Sequence, residues 1–485
     1  MSELYNQIDS IIHPRNIAFV GITTSNPLHW TRTFWNSTRA FDFQGNLYPV
    51  NPRGGELDGC RVYRSIDEVP GNIDYVISTV AARTAPEIMK KCAAKGVKGI
   101  HFCTAGFAET GSEDVAGLQD ELSRLARETG VRIIGPNCMG VYYPKNGLAF
   151  RSDMETEPGN IGVISQSGGL AINIVLKGKL TGLKFSKVVS IGNSIDLKPA
   201  ELLQLFAMDT DTKIIGCYFE SLGKTMEESR RLLAILKQTV KKKPVIIWRG
   251  GRSERGSIAA SSHTGALKTS SQMWDAFVKQ SGVISASNFE EFIDTLEAFQ
   301  FLSNKYPGPR IGLISISGGS AVTATDEIME AGLEIPMLTK ESQKAILDLA
   351  VAEVGVSTKN PVDLGNSYFG FSIIEKTVEI ILKDPNIDIL LFEISTHYIY
   401  NATVMSMKEF PDIYFENAIK TVKHARRNTK KPVFIIMPEV AYEAETINNR
   451  QVFLKNNIPV FPNVRRAIIA LKNLARFAQW STKAS

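Results

Sequence analysis

Short apolar runs punctuate the first third of the chain, and each stops abruptly at glycine, asparagine or a small polar residue. Ile17-Ala18-Phe19-Val20 ends at Gly21, and Gly45-Asn46-Leu47-Tyr48-Pro49-Val50 ends at Asn51. Tyr75-Val76-Ile77-Ser78, Gly99-Ile100-His101-Phe102 and Val131-Arg132-Ile133-Ile134 follow, the last running into Gly135-Pro136-Asn137. Runs this short and continuous predict strands. Their alternation with helix-like stretches predicts an α/β architecture, a parallel sheet with helices on both faces. Ligands of such sheets bind at the carboxyl ends of the strands. The pattern predicts a first, Rossmann-like domain over residues 1–150.

The rest of the chain repeats itself. Ile161-Gly162-Val163-Ile164-Ser165 followed by Ser167-Gly168-Gly169 matches Ile311-Gly312-Leu313-Ile314-Ser315 followed by Ser317-Gly318-Gly319. Each half then carries a Gly/Asn/Asp turn, at Gly192 to Leu197 and at Asn360 to Gly365. An apolar strand ending in glutamate comes next, at Glu220 and again at Glu393, then Lys242-Lys243-Pro244-Val245-Ile246-Ile247 matches Lys430-Lys431-Pro432-Val433-Phe434-Ile435. One unit used twice predicts two flavodoxin-like, doubly wound domains, residues 151–303 and 304–485. Asn304-Lys305-Tyr306-Pro307-Gly308-Pro309 reads as the linker. Ala467 to Phe477 has the spacing of a closing helix.

At 485 residues the chain has room for these three domains, taking roughly 150 residues for each. Hydrophobic residues at 44% and charged ones at 22% are ordinary for a globular protein, and no apolar run approaches a membrane span. The start has neither a basic nor an apolar segment, so the expected compartment is the cytoplasm. A net charge of +5, spread along the chain, does not argue for nucleic acid. Five scattered cysteines form no CxxC pair, and no metal site is expected.

Candidate chemistry gathers around His263, in Ala260-Ser261-Ser262-His263-Thr264-Gly265-Ala266-Leu267. A neutral imidazole is a competent nucleophile near pH 7, and a carboxylate such as Glu220 fixes its tautomer. Small residues around it predict a loop open to phosphate, with Arg249, Arg252 and Arg255 supplying positive potential. The turns Ser167-Gly168-Gly169 and Ser317-Gly318-Gly319 each open a helix, where free N–H groups and the helix dipole favour an anion. Taken singly, each feature also fits a plain structural role: a helix cap, a solvated strand end, a core histidine. Glu393 reads as a relic of the repeat or an interface residue, and His13, His29, His101, His397 and His424 as structural. In the first domain, Gly21-Ile22-Thr23-Thr24 is not GxGxxG, and the second strand ends in Asn51-Pro52-Arg53, without the acidic residue of a nicotinamide dinucleotide site. Arg53 suits a phosphate. The residues alone support an anionic, nucleotide-like ligand, with coenzyme A, which carries a ribose phosphate, favoured over NAD; a structural arginine fits as well.

Tyr48-Pro49-Val50-Asn51-Pro52, Thr104 to Gly111 and Gly135-Pro136-Asn137-Cys138-Met139-Gly140 resemble the CoA-binding domain of the NDP-forming acyl-CoA synthetases, relatives of succinyl-CoA synthetase. The histidine run, Glu220 and both Ser-Gly-Gly turns resemble the rest of that family's alpha part. The likeness implies CoA surrounded by Gly21, Thr23, Asn51, Arg53, Ser78, Thr79 and Val80, with Ala105 and Gly106 near the pantetheine arm. The family's small Gly-Ala-Ser turn is replaced here by Gly21-Ile22-Thr23 and the aromatics Trp30, Phe34 and Trp35. His263 and Glu220 would be catalytic, and the two turns, one from each flavodoxin-like domain, would bind the phosphate. Nothing in the chain resembles the family's ATP-grasp module. The resemblance therefore implies a separate ATP-grasp beta subunit in a heterotetramer, with ATP or GTP and Mg2+ bound mainly there, and a small carboxylic acid as substrate. A catalytically silent CoA-binding regulator is the runner-up, and a nicotinamide oxidoreductase the third reading.

Overall fold

The computed structural model describes residues 2–111, 113–264, 270–349, 356–404 and 408–484, without the side chains of residues 2–5, 113–116, 259, 261–264, 402–404 and 482–484. Strands β1 (Asn16–Val20) and β2 (Asn46–Val50) are followed by a small hairpin, β3 (Gly55–Leu57) and β4 (Cys60–Val62). Then come β5 (Tyr75–Ser78), β6 (Gly99–Phe102) and β7 (Arg132–Ile134). They form a parallel sheet in the order β2-β1-β5-β6-β7, so the chain reverses direction across the sheet between β1 and β5. Four helices flank it: α1 (Ser2–Ile12), α2 (Thr33–Ala40), α3 (Ala85–Ala94) and α4 (Glu113–Thr129). Met89 and Cys92 of α3 and Leu122 and Leu125 of α4 bury themselves against Ala18, Val76, Ile100 and Ile133. Across the sheet, Trp35 of α2 meets Phe19 edge-on at 5.4 Å. Pro86 sits in the first turn of α3, where its missing N–H costs no helical bond.

The second sheet contains β8 (Gly140–Tyr142), β9 (Ile161–Ser165), β10 (Phe185–Ser190), β11 (Ile214–Phe219), β12 (Val245–Arg249) and β13 (Ile284–Ala286). Its order is β13-β12-β11-β9-β10-β8. The five strands from β9 onward are parallel in the flavodoxin order, and β8 closes the far edge antiparallel to β10, with Tyr142 opposite Val188. Every residue of β9, β10 and β11 is buried; β9 and β11 accordingly read as near-continuous apolar runs, while β10 buries Ser186, Lys187 and Ser190 among its apolar residues. The accompanying helices are α5 (Gly168–Thr181), α6 (Pro199–Met208), α7 (Met226–Thr239), α8 (Glu254–Thr264), α9 (Ser271–Ser281) and α10 (Phe289–Phe301).

Residues 1–179 with 183–292 make one compact unit, and 180–182 with 293–485 another. The second unit holds β14 (Ile311–Ile314), β15 (Ile389–Glu393), β16 (Val433–Ile436) and β17 (Val460–Phe461), parallel and in that order. Its helices are α11 (Gly318–Glu330), α12 (Lys340–Leu347), α13 (Phe371–Lys383), α14 (Thr396–Val404), α15 (Phe410–Thr429), α16 (Glu443–Lys455) and α17 (Val464–Ala484). One face of the sheet packs on Val378, Ile381 and Val422, the other on Ile328, Ile468 and Leu471.

The repeat is imperfect here. Where the flavodoxin order puts a second strand beside the first, β14 has, among the described residues, only the isolated pairings Arg310 with Glu334 and Ile314 with Val362. Pro336 and Pro361 have no N–H to give a ladder. The Asn360 side chain takes over part of the strand's work: its Oδ1 accepts from Leu313 N–H at 3.0 Å, and its Nδ2 donates to the Ile311 and Pro336 carbonyls at 2.9 and 2.7 Å.

Candidate active site

The crevice between β1 and β5 is where a sheet of this order binds ligands. Gly21 follows β1 with φ +90°, and its N–H donates to the Val50 carbonyl at 3.0 Å. A Cβ there would stand 2.9 Å from Val80 Cγ1, so only glycine lets the two loops lie this close. Thr79 N–H donates to Val20 O, and Asn51 Nδ2 to Ile22 O at 2.8 Å, so the three strand ends are tied together. Thr23 donates its N–H to Thr31 Oγ1 at 3.2 Å. Arg53 is exposed, and its guanidinium bonds nothing among the described residues. Ser78 differs: it is buried inside the sheet, with no hydrogen bond to its hydroxyl among the described residues.

Ala105 is exposed, and Gly106 (φ +107°) donates its N–H to Glu109 Oε1 at 2.7 Å. The other oxygen of Glu109 accepts from Asn193 Nδ2 at 2.6 Å, a bond from the first sheet's loops to the second's. Burial works against the charged form of Glu109, yet the bonds from Asn193, Gly106 and Phe107 hold its carboxyl below the usual range.

In the turn after β9, Ser165 Oγ donates to Ser167 O at 2.7 Å and accepts from Ser167 N–H. Ser167 Oγ accepts from Leu170 N–H at 3.3 Å, which caps α5. The N–H groups of Gly168 and Gly169 are left without partners among the described residues, as befits a first helical turn. Glu220, half-buried after β11, receives the Tyr218 hydroxyl at 3.3 Å. Burial, and then the Glu220 charge, push the Tyr218 hydroxyl's pKa up, so it stays a donor. Gln166 Oε1 accepts the N–H groups of both Glu220 and Ser221, which fixes the carboxylate's backbone relative to the Ser-Gly-Gly turn.

Up to Thr264, the His263 run is not the loop its composition suggested. Ser253 Oγ accepts from Gly256 N–H, and residues 254–264 are α-helical with His263 in the last turn of α8. The capping serine and the helix-favouring alanines outweigh the small polar residues. The His263 side chain and residues 265–269 lie outside the described set. The path to Glu220 is short nonetheless. A Cβ on Gly250 would sit 3.4 Å from Glu220 Cγ, and one on Gly251 would sit 3.1 Å from the Ala260 Cβ of α8. Arg249 is not a solvated cation: it is buried, its guanidinium lies 5.3 Å from the Trp274 ring centre, and it donates to Gly251 O. Burial and then Arg252 hold its pKa below the usual value.

The second turn repeats the backbone arrangement of the first, with a different partner for its first serine's proton. Ser315 Oγ accepts from Ser317 N–H and lies 3.2 Å from Ser317 O, and Ser317 caps α11 through Ser320 N–H. Gly318 and Gly319 also have N–H groups without partners among the described residues. Glu393, read from the sequence as a relic or an interface residue, is instead buried. Its Oε2 accepts from Ser315 Oγ at 2.6 Å and its Oε1 from Ser395 Oγ at 3.0 Å.

Sequence reasoning missed Gln166, Tyr218, Glu109 and Asn193. Gln166 had a signal: within the repeated turn it is the polar residue opposite the apolar Ile316.

Two family models match the chain. Residues 15–144 match the CoA binding domain, and residues 158–299 the succinyl-CoA ligase like flavodoxin domain. Fold and turns thus define a CoA-ligase type of α/β protein. The acetate–CoA ligase [ADP-forming] II subunit alpha of Pyrococcus furiosus is 34% identical over 460 residues, covering 94% of each chain. The I subunit alpha of the same organism is 32% identical over 481 residues, 98% of this chain and 99% of its own. The dinucleotide-forming acetyl-coenzyme A synthetase 1 of Ca. Korarchaeum cryptofilum, solved with phosphate and ADP, matches with TM-score 0.83 at 27% identity over 98% of both chains. The chain belongs to the family of ADP-forming acetate–CoA ligase alpha subunits.

Proposed function

We propose that this chain is the alpha subunit of an NDP-forming acyl-CoA synthetase, which converts a carboxylate, CoA and an NTP to acyl-CoA, NDP and phosphate. The observation that carries the reading is the turn in which Gln166 ties Glu220 to Ser167, Gly168 and Gly169, one glycine pair away from the helix of His263. In this reading the neutral imidazole of His263 attacks the γ-phosphorus of the NTP, and NDP leaves. Glu220 holds the other ring nitrogen and stabilises the charged ring. The N–H groups of Gly168 and Gly169 take the phosphoryl oxygens, and Ser317, Gly318 and Gly319 form a second phosphate-binding turn. A carboxylate oxygen of the acid then attacks the phosphorus and restores the imidazole. The resulting acyl phosphate passes its acyl group to the CoA thiol, phosphate leaves, and the thiol proton goes with it.

The first crevice is the place proposed for CoA: glycine at position 21 lets the loops after β1 and β5 lie side by side, and Arg53 is exposed for a phosphate. Gly21, Thr23, Asn51, Arg53, Thr79, Val80, Ala105 and Gly106 are the residues proposed to hold it; buried Ser78 would serve through its backbone. The division into domains 1–150, 151–303 and 304–485 belongs to the same reading. So do an ATP-grasp beta subunit that binds the nucleotide with Mg2+, a heterotetramer, and a cytoplasmic setting. Among the described residues, no helix is long and apolar enough to cross a membrane.

The test is phosphate transfer. With the full chain, a cognate ATP-grasp subunit, Mg2+ and γ-labelled ATP, acid-labile label should appear on wild type and be discharged by a carboxylate plus CoA. His263→Asn should carry no label and show no turnover, while CoA affinity by calorimetry stays within about twofold. Label or turnover in His263→Asn would overturn the mechanism.

A further inference from the structure

The second sheet carries a cavity that the phosphohistidine chemistry leaves unused. It opens at the carboxyl ends of β9, β10 and β11, where the strand order reverses between β9 and β11. That is the position at which open α/β sheets receive small molecules. Its walls are Pro199, Ala200, Leu222 and Leu232, which give it an apolar body. Gln166 and Asn193 stand at the wall shared with the Ser-Gly-Gly turn.

The cavity's charges do not cancel. Lys198 is paired with Glu228 at 3.2 Å and donates to Ser194 O, while Arg231 lies 3.5 Å from Glu201. Lys224 is left over: its ammonium has no hydrogen-bond partner among the described residues, although the side chain is partly buried. Burial, and then the neighbouring Lys198, pull its pKa down, which an arriving anion would reverse. Gln166 is 8% exposed, and with its oxygen committed to Glu220 and Ser221 its amide nitrogen is also without a partner among the described residues. A spare cation and a spare amide donor on apolar walls fit a small monoanion with a hydrocarbon body.

We propose that this cavity is the subsite for the carboxylic acid substrate, with Lys224 and the Gln166 amide taking the carboxylate and Leu222, Leu232 and Pro199 its hydrocarbon portion. The inference rests on the ligase reading above. It assigns Leu222 and Leu232 the setting of the acid's acceptable chain length. Asn193, bonded to Glu109 and through it to Gly106, connects the cavity wall to the loop proposed to carry the pantetheine arm. The acid would thus be held between the phosphate donor and the thiol.

Steady-state kinetics of the assembled enzyme with a series of straight-chain acids test it. Lys224→Met should raise KM for every acid by about 10- to 100-fold, the loss of one charge-assisted hydrogen bond, and leave KM for CoA within about twofold. Lys224→Arg should recover most of the loss. Leu222→Trp should shift preference toward shorter acids, a change that a merely structural role would not produce. Failure of wild type to accept label on His263 would sink the ligase reading itself. Normal labelling with an unchanged acid KM in Lys224→Met, an equal rise in the KM for CoA, or no change of chain-length preference in Leu222→Trp would overturn the subsite alone.

Discussion

The turns after β9 and β14 descend from one pattern, yet they spend their glutamates differently. Both have a strand-end serine bonded to a second serine that caps the next helix, followed by two glycine N–H groups without partners among the described residues. After β11, Glu220 is half-buried and held by Gln166 through its backbone, and its carboxylate accepts from the Tyr218 hydroxyl. After β15, Glu393 is buried, and Ser315 and Ser395 consume both oxygens. Ile316, in place of Gln166, packs against the apolar core instead. A half-buried carboxylate at a strand end can reach a group outside the sheet; one enclosed with a serine hydroxyl on each oxygen braces the fold. The same residue in the same strand position therefore reads as chemistry in one unit and as structure in the other.

The largest expected break in that comparison is Glu220→Gln. It should lower turnover by about 10²- to 10³-fold, the scale of a lost orienting carboxylate, with thermal stability nearly unchanged. Glu393→Gln should do the converse: turnover normalised to folded protein holds, while one of two buried hydrogen bonds is lost at a cost of about 1–3 kcal/mol, read by chemical denaturation. Equal kinetic losses in both variants would erase the distinction. Gln166→Ile, which writes the second turn's residue into the first, should cost about tenfold in turnover, because the Glu220 and Ser221 N–H groups lose their acceptor.

The smallest effect concerns His101, the histidine that is chemistry's opposite. It lies fully buried between Phe34 and Tyr75, with Nε2 2.8 Å from the Cys138 carbonyl, and burial pushes its pKa down to about 4. Because the unfolded chain protonates near 6.5, stability is complete above that pH and is lost as pH falls from there toward 4. Denaturation at pH 5 should find about 2 kcal/mol less than at pH 7 from this group, and the difference should shrink in His101→Gln. A stability profile flat over that window would contradict the assignment.

Much of the fold was legible because most of its buried parallel strands are nearly all apolar: Ile17 to Val20 and Ile161 to Ser165 announce themselves. What escaped was decided by partners distant in sequence. Gly140–Tyr142 is too short to mark a strand, and only the β10 edge makes it one. The second unit's missing strand is written in Pro336 and Pro361, but the Asn360 side chain that replaces it cannot be read without its acceptors. The helix through His263 was obscured because serine and glycine suggest a loop, and the local cap at Ser253 decides otherwise. Of the candidate site, the serines, glycines and Glu220 were visible from their repetition, whereas Gln166 becomes meaningful only once its oxygen is seen between two N–H groups.

The antiparallel strand β8 bears on how this protein may be cut. It belongs by sequence to the segment before residue 150 but seals the outer edge of the second sheet at Ser190, Val189 and Val188. A fragment begun at residue 151 would leave β10 with unmet backbone donors and acceptors at Val188, Val189 and Ser190, along a strand that is wholly buried in the intact protein. Such an edge recruits strands from other molecules. Expression of the ligase half from residue 151 would therefore give filaments or precipitate, whereas a fragment begun just after β7 would carry its own sealing strand and stay dispersed.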